Sequence, residues 1–230
     1  PPPIERQLAL PDGIAQAQRQ AVCEMVEAKS AILAGEVGSG KTRTALVALH
    51  VALSRTKGEA VVIAPAGLVS RGHDGESQWS RSAKAIHCDS PRITYLSYEQ
   101  AIRNDWILKH ASRFSVCVID EAHRLCSLTS RRALTLLQFQ PEYRFALTAT
   151  PFPNSPADIW NLLKWVDTPN LPGRQRFTDL HTPMEVNTET GQKRAAPGIS
   201  CPLTYIDTIG SKVVVLTKQD IKPELPLPRI

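Results

Sequence analysis

The chain has 230 residues, 42% of them hydrophobic, so it can bury a sizeable core as one domain with an appendage or as two small domains. Its net charge of +5 permits a polyanionic partner but does not require one. No apolar run approaches the roughly 18 residues of a membrane helix, so we expect no membrane partner. The five cysteines are widely spaced without a CxxC pair, which favours a reducing compartment over a disulfide framework.

The first predicted element is a helix over residues 14–29, which follows a proline-bearing lead-in at residues 1–13. Near its start, Gln18 precedes a glycine-rich loop by about twenty residues, where a side-chain amide can read the adenine edge through two hydrogen bonds. Gln20 is the second choice for this role. An exposed polar helix face explains either glutamine equally well.

The glycine-rich loop has the pattern G-x-x-x-x-G-K-T, with a buried strand predicted before it at residues 31–34 and a helix after it at residues 44–49. Its glycines allow the backbone N–H groups and the helix N-terminus to face an anion. Lys41 is expected to reach the outer phosphates, and the Thr42 hydroxyl to bind magnesium. The alternative is a glycine-rich turn with a solvated lysine. The expected nucleotide contacts are Gly35, Glu36, Val37, Gly38, Ser39, Gly40, Lys41, Thr42 and Arg43.

A second buried strand is predicted at residues 60–64, and it ends at the loop 65–68. Ligands of open α/β sheets sit beyond the carboxyl ends of strands, so this loop is placed to touch a substrate. Arg71 and His73 could meet phosphates there, although solvated loop positions are the default for both. Trp79 is expected to begin the packing of the next helix.

The third and fourth strands are predicted at residues 93–96 and 116–119, with a helix between them that carries Ile102, Trp106 and Ile107 on one face. The fourth strand runs directly into Asp120 and Glu121. A carboxylate pair at a strand end suits one residue that holds magnesium and one that orients and deprotonates the attacking water. We assign these roles to Asp120 and Glu121 in that order.

A helical pattern over residues 131–140 leads to the fifth strand at 144–147 and then to Thr148 and Thr150. Short hydroxyl side chains at a strand end can hydrogen-bond to the acidic motif and relay the phosphate state to a bound strand, although an ordinary turn explains them too. An amphipathic helix follows at 159–166. We divide the chain into a lead-in at 1–13, a lobe at 14–167, and a loop-rich insertion and linker at 168–230 with a short strand at 212–216.

Alternating strands and helices, with functional loops at the strand ends, predict an α/β fold with a parallel sheet flanked by helices. In their order, the motifs resemble those of the first RecA-like lobe of superfamily 2 helicases and translocases, over roughly residues 18–166. Residues 35–42 match motif I of that family, and residues 64–68 resemble motif Ia. Residues 120–123 are a DEAH motif II, and residues 147–151 match motif III.

Within this superfamily the sequence is most similar to the Swi/Snf-type translocases of double-stranded DNA. The similarity lies in Tyr98-Glu99, in DEAHR through Arg124, in the segments 147–154 and 159–163, and in the tail 217–226. Two positions depart from the usual pattern. Ala149 stands where glycine is usual in motif III, and Cys126-Ser127 stand where a lysine-asparagine pair usually follows DEAHRL.

The resemblance implies ATP and Mg²⁺ as cofactors, with magnesium held by Thr42 and Asp120. It implies that His123 couples the nucleotide site to motif III, with Thr148 and Thr150 in the same coupling role. The implied catalytic residues are Lys41, Asp120, Glu121 and His123. The implied nucleic-acid contacts are Pro65, Ala66, Gly67, Ser97, Tyr98 and Thr150.

The resemblance also implies two partners, double-stranded DNA and a second RecA-like lobe in the same full-length chain that supplies arginine fingers. A DNA-associated location is expected, cytoplasmic or, in a eukaryote, nuclear. A strand-separating DNA or RNA helicase remains an alternative, as do a P-loop ATPase that acts on protein and a degenerate lobe that only binds. The four intact residues Lys41, Thr42, Asp120 and Glu121 argue against degeneration.

Overall fold

The structure is a computed structural model that describes residues 13–72, 75–127, 130–150, 156–186, 193–195 and 199–221. The predicted lead-in up to residue 12 and the tail from residue 222 lie outside these ranges. His73 also lies outside them, as do residues 151–155, the continuation of motif III. Among the described residues, no helix combines the length and the apolar character needed to cross a membrane.

The fold is built on a six-stranded parallel sheet, in which the predicted strands and the strand near residue 212 all take part. The strands are β1 (Ser30–Gly35), β2 (Glu59–Ala64), β3 (Ile93–Ser97), β4 (Phe114–Ile119), β5 (Tyr143–Thr148) and, after a separate antiparallel pair of β6 (Met184–Val186) and β7 (Lys193–Ala195), β8 (Val213–Leu216). Their order across the sheet is β3-β2-β4-β5-β1-β8. The predicted α/β fold is therefore confirmed.

Helices cover both faces of this sheet, which is why its strands consist of continuous apolar runs. Neighbouring residues on one strand point to opposite faces. Leu33 of β1 and Val118 of β4 belong to one hydrophobic cluster, whereas Ile32 and Cys117 belong to the other. The two clusters form separate cores, and Cys117 is completely buried in the second.

The helices follow the predicted order with a few differences. They are α1 (Gln16–Ala28), α2 (Lys41–Ser54), α3 (Ala66–Val69), α4 (Gln78–Ala85), α5 (Tyr98–Ile102), α6 (Trp106–Lys109), α7 (Arg131–Leu136), α8 (Trp160–Trp165), α9 (Arg174–His181), α10 (Pro202–Ile209) and α11 (Lys218–Ile221). The helix predicted after the third strand is interrupted between α5 and α6. Asn104 and Asp105 adopt left-handed backbone angles there, with φ of 50° and 55°, which these two residue types tolerate better than most.

The segment from residue 168 contains more regular structure than its sequence indicates. The helices α9 and α10 lie in a polar and proline-rich stretch, and an aromatic contact joins them, with the ring centroids of Phe177 and Tyr205 6.0 Å apart. The strand predicted at residues 212–216 is confirmed as β8. It pairs with β1, so this part of the chain completes the edge of the sheet beside the glycine-rich loop.

Candidate functional site

The glycine-rich loop connects β1 to α2 through backbone angles that require glycine. Gly38 and Gly40 have φ of +85° and +72°, and Gly40 is the residue directly before α2. Gly35 is needed for a different reason. A Cβ atom on Gly35 would lie 2.5 Å from the carbonyl oxygen of Leu216 and 2.6 Å from Ser39 Oγ. The loop therefore depends on glycine at three positions, and it packs closely against the end of β8.

Lys41 lies folded over this loop. Its ammonium donates hydrogen bonds to the carbonyl oxygens of Gly35, at 2.6 Å, and Glu36, at 2.8 Å. Burial lowers the pKa of Lys41, while the negative charges of Glu121 and Asp120 oppose that change. An anion at the loop would likewise favour the charged form of Lys41.

The other loop residues fit a nucleotide phosphate as well. Ser39 Oγ is buried and, within the part of the chain that the structure describes, has no hydrogen-bond partner. A buried hydroxyl of this kind is costly unless a partner arrives. Thr42 is half-buried in the first turn of α2, where a hydroxyl can join the ligands of a magnesium ion that also binds phosphate. Glu36 and Val37 are exposed, and Val37 is 76% exposed.

Gln18 lies beside the glycine-rich loop. Its amide nitrogen donates to the carbonyl oxygen of Gly40 at 3.5 Å, and its amide oxygen accepts from the Ala15 N–H at 3.2 Å. With Arg43 it lines a cleft of about 420 Å³, within the size range of small-molecule sites. Gln20 instead is exposed and donates to Glu24. The structure thus separates the two candidates and places Gln18 at the site.

Asp120 follows β4 at the same edge of the sheet and is held by two donors. Its Oδ2 accepts a hydrogen bond from Trp79 Nε1 at 3.1 Å, and its Oδ1 accepts from the Glu121 N–H at 2.9 Å. Burial raises the pKa of Asp120, and these two hydrogen bonds oppose the rise. The carboxylate is therefore fixed in orientation, in a position where a bound cation would favour its charged form.

Glu121 has left-handed backbone angles, with φ of 51°. Such angles are uncommon outside glycine and concentrate at functional sites. They turn the chain between β4 and the 3₁₀ turn Ala122–Leu125. The side chain of Glu121 remains partly exposed, so solvent water can reach its carboxylate.

A polar path leads from Glu121 to the fifth strand. His123 Nδ1 lies 3.3 Å from Glu121 Oε2 and 3.5 Å from Thr148 Oγ1. Thr148 Oγ1 in turn accepts a hydrogen bond from the Thr150 N–H at 3.1 Å. Thr148 is buried and Thr150 is exposed, so the path runs from the nucleotide side to the surface.

The predicted nucleic-acid contacts divide into two groups. Ala66, Gly67 and Thr150 are exposed at the carboxyl edge of the sheet, next to the partly exposed Pro65. Ser97 and Tyr98, in contrast, are buried, and their assignment as nucleic-acid contacts stays a prediction. The Ser97 hydroxyl caps α5 by accepting from the Gln100 N–H at 3.1 Å.

Tyr98 supports motif II from within the protein. Its hydroxyl donates to the carbonyl oxygen of Asp120 at 2.5 Å and lies 3.3 Å from that of Glu121. Burial raises the pKa of Tyr98, so the hydroxyl keeps its proton. The guanidinium groups of Arg132 and Arg124 lie 5.0 and 5.9 Å from its ring centroid. Sequence alone could not distinguish this buried tyrosine from an exposed one at the same strand end.

The sequence does not predict two contacts at the site. It predicts only a packing role for Trp79, but the indole N–H of Trp79 donates to Asp120. It places Lys218 in a linker, but Lys218 Cε lies 3.5 Å from where a Cβ on Gly38 would stand. No periodicity or motif signals either contact, because each joins segments that are far apart in the chain.

Two protein families match the chain in adjoining segments. The DEAD/DEAH box helicase family matches residues 15–71, and the SNF2-related domain family matches residues 68–200. The second match covers more than half of the chain and includes motifs II and III.

Similar proteins come from fungi, animals and plants. Helicase swr-1 of Neurospora crassa is 27% identical over 168 residues, which cover 65% of this chain and 9% of that protein. Chromatin-remodeling ATPase INO80 of Homo sapiens is 27% identical over 172 residues, which cover 64% of this chain and 11% of that protein. Switch 2 of Arabidopsis thaliana is 25% identical over 195 residues, covering 72% and 22% respectively. The chain spans less than a quarter of the length of each relative.

Solved structures share the fold. The Sulfolobus solfataricus SWI2/SNF2 ATPase core in complex with dsDNA superposes with a TM-score of 0.68 at 16% sequence identity, covering 91% of this chain and 45% of that one. The same ATPase core domain alone gives a TM-score of 0.66 at 17% identity, covering 95% and 47%. The predicted family and fold are confirmed. The chain belongs to the SNF2-related domain family, and its described residues have the RecA-like fold of a SWI2/SNF2 ATPase core.

Proposed function

We propose that this chain is the ATP-binding lobe of a motor that couples ATP hydrolysis to movement along double-stranded DNA. The observation that carries the proposal is the convergence of Lys41, Asp120 and Glu121 at the carboxyl edge of one parallel sheet. The charges of both carboxylates act on the Lys41 ammonium. A phosphate loop and an acidic pair in this arrangement suit phosphoryl transfer to water.

Each residue has a defined task in that reaction. Lys41 and the N-terminus of α2 bind and orient the phosphates, while Thr42 and Asp120 would hold a magnesium ion. The charge that develops on the transferred phosphoryl group would be neutralised in part by that ion. Glu121 orients the attacking water and accepts its proton. Gln18 holds the base end of the nucleotide in the cleft that it lines with Arg43.

Coupling to DNA rests on the polar path from Glu121 through His123 and Thr148 to Thr150. Contacts of 3.1 to 3.5 Å join its members, so a change at the phosphate side can reach the exposed end. The predicted loop at 65–68 is instead mostly helical, and the start of α3 at Ala66 and Gly67 lies at the same edge and offers backbone groups for a DNA strand. The structurally similar Sulfolobus solfataricus ATPase core was determined with dsDNA, which supports duplex DNA as the track and a DNA-associated location.

A second RecA-like lobe completes the motor in this proposal. The described fold corresponds to 45% of the similar ATPase core bound to dsDNA, as expected for one of two lobes. Arginine fingers stabilise the transition state of this reaction and raise turnover by about a thousandfold or more. We therefore expect the 230-residue chain alone to bind ATP weakly and to hydrolyse it slowly.

The test measures ATP hydrolysis by the longest natural form of the protein. Parallel reactions contain no nucleic acid, single-stranded DNA, duplex DNA or RNA, and Glu121→Gln serves as the blank. We expect duplex DNA to stimulate most, in a salt-sensitive manner because phosphate contacts release counterions. We expect Glu121→Gln to lose turnover while it retains ATP binding, since it removes the proton acceptor and leaves the phosphate contacts.

Other results of the ATP hydrolysis test would favour the alternative functions. Stronger stimulation by single strands or RNA would favour a strand-separating helicase. No stimulation by any nucleic acid would favour an ATPase that acts on protein. Retained turnover in Glu121→Gln would contradict the role given to that residue.

A further inference from the structure

Trp79 is a buried side chain with an unusual hydrogen-bond acceptor. It is 1% exposed, and its ring lies in the hydrophobic cluster that also contains Ala64 and Val69. The indole N–H can act only as a hydrogen-bond donor. It donates to Oδ2 of Asp120, the carboxylate expected to hold magnesium, across 41 positions of the sequence.

From this geometry we propose that Trp79 is a positioning residue of the magnesium site, an inference that rests on the proposed ATPase function. Packing fixes the indole, and the indole fixes Oδ2 at 3.1 Å. The Glu121 N–H fixes Oδ1 at 2.9 Å. A carboxylate held at both oxygens cannot rotate freely. Magnesium demands near-ideal octahedral geometry, so a pre-oriented carboxylate favours its binding.

Another tryptophan of the same chain shows what a purely structural indole contact looks like. Trp165 is also 1% exposed, and its Nε1 donates to the backbone carbonyl oxygen of Phe139 at 2.8 Å. That bond satisfies the indole within the core and touches no residue assigned to the nucleotide site. Trp79 differs because its acceptor is the side chain of a site residue, which the bond can orient.

Trp79 also connects the metal site to a different part of the fold. It lies at the start of α4, in the crossover between β2 and β3. The same crossover carries Ala66 and Gly67, the exposed first residues of α3 that are proposed to contact DNA. This crossover therefore has a second task, the support of Asp120 at the end of β4.

The experiment compares Trp79→Phe with Trp165→Phe in the longest natural form of the protein. Each change removes one buried indole and leaves a cavity of similar size, but only the first removes a hydrogen bond to Asp120. Calorimetry measures binding of the slowly hydrolysed analogue adenosine 5′-(β,γ-imido)triphosphate, once over a series of Mg²⁺ concentrations and once in EDTA. Urea unfolding of both variants monitors their stability.

We expect Trp79→Phe to raise the Mg²⁺ concentration needed for half-maximal analogue binding by about tenfold or more, as losses of outer contacts to metal ligands commonly do. Binding in EDTA should stay unchanged, and Trp165→Phe should alter neither quantity. An unchanged Mg²⁺ requirement in Trp79→Phe would overturn the assignment. An equal loss of binding with Mg²⁺ and in EDTA would also overturn it, because that pattern indicates general damage.

A second substitution covers the case in which Trp79→Phe does not fold. Incorporation of 3-benzothienylalanine at position 79 replaces the indole N–H with sulfur and keeps the shape of the ring. The same rise in the Mg²⁺ requirement is expected, and its absence would overturn the assignment. A wild-type protein that binds the analogue in neither condition would contradict the proposed function itself, whereas normal wild-type binding with an unaffected variant contradicts only the role of Trp79.

Discussion

The strands β1 to β5 and the segment from residue 168 to 221 contribute to one fold in different ways. The strands β1, β2, β4 and β5 are buried on both faces, and each contributes residues to both hydrophobic clusters. The C-terminal segment has few such runs. It is held by an aromatic group, with the His181 ring 4.7 Å from Phe177 and 5.1 Å from Tyr205, and by the pairing of β8 with β1.

This difference shows how a nucleotide loop can depend on a distant part of the chain. The loop residue Gly35 pairs with Leu216 at the end of β8, so the C-terminal segment touches the site that the central strands build. At the other end of β8, Lys212 donates to Ser30 Oγ at 2.9 Å and ties the two strands together. The segment therefore supports the glycine-rich loop, although it has fewer buried apolar runs than the central strands.

The largest expected effect is on the central strands. Phe145→Ala removes a fully buried ring from β5 and should lower the free energy of unfolding by about 3–5 kcal/mol, the usual cost of such a cavity. Urea unfolding measures this loss. Phe177→Ala, at an equally buried ring of α9, should lower global stability less and should mainly increase hydrogen exchange in α9 and α10.

Equal losses of global stability in Phe145→Ala and Phe177→Ala would contradict the expectation that the C-terminal segment contributes less to global stability than the central strands do. In that case the C-terminal segment and the central strands would unfold as a single unit.

A smaller effect on stability is expected where the two regions meet. Gly35→Ala places a methyl group 2.5 Å from the Leu216 carbonyl oxygen, and overpacking of this kind costs about 1–3 kcal/mol. Nucleotide affinity should fall with it, because Ser39 must also move. Gly67→Ala is the matched control, since its methyl group would meet no atom within 4 Å. Normal stability and nucleotide binding in Gly35→Ala would show that β8 is not needed at the loop.

The smallest effect concerns the pH dependence of the C-terminal segment. Burial lowers the pKa of His181 below its usual 6.5. The unfolded chain therefore takes up this proton at a higher pH than the folded chain does. The resulting stability is fully present above about pH 6.5, the pKa of the unfolded residue. It is lost as the pH falls through the lower pKa of the folded state.

Urea unfolding at pH 7.5, 6.5 and 5.5 measures this contribution. We expect the wild-type chain to lose more stability over this range than His181→Phe, which keeps a ring against Phe177 and Tyr205 but cannot take up a proton. Identical pH profiles for the two proteins would show that His181 does not contribute to the pH dependence of stability.

The sequence determined most of the nucleotide side of the site. The spacing of Gly35, Gly40 and Lys41 between a strand and a helix indicates a phosphate loop, because only that backbone path brings N–H groups to one anion. Buried parallel strands appear as apolar runs, so the edge that carries Asp120 and Glu121 was predictable too. Both patterns depend on residues that are close together in the sequence, so the sequence alone reveals them.

The tertiary structure decided what the strand ends contact. Tyr98 follows a strand as an exposed substrate contact would, but the packing of β3 beside β2 and of α5 against α7 buries it under motif II. Trp79 reaches Asp120 only because β2 and β4 are neighbours in the sheet. Residues 213–216 have the composition of a strand, but their pairing with β1 depends on the register of the whole sheet. Contacts between distant segments arise from strand order and burial, which no single stretch of sequence encodes.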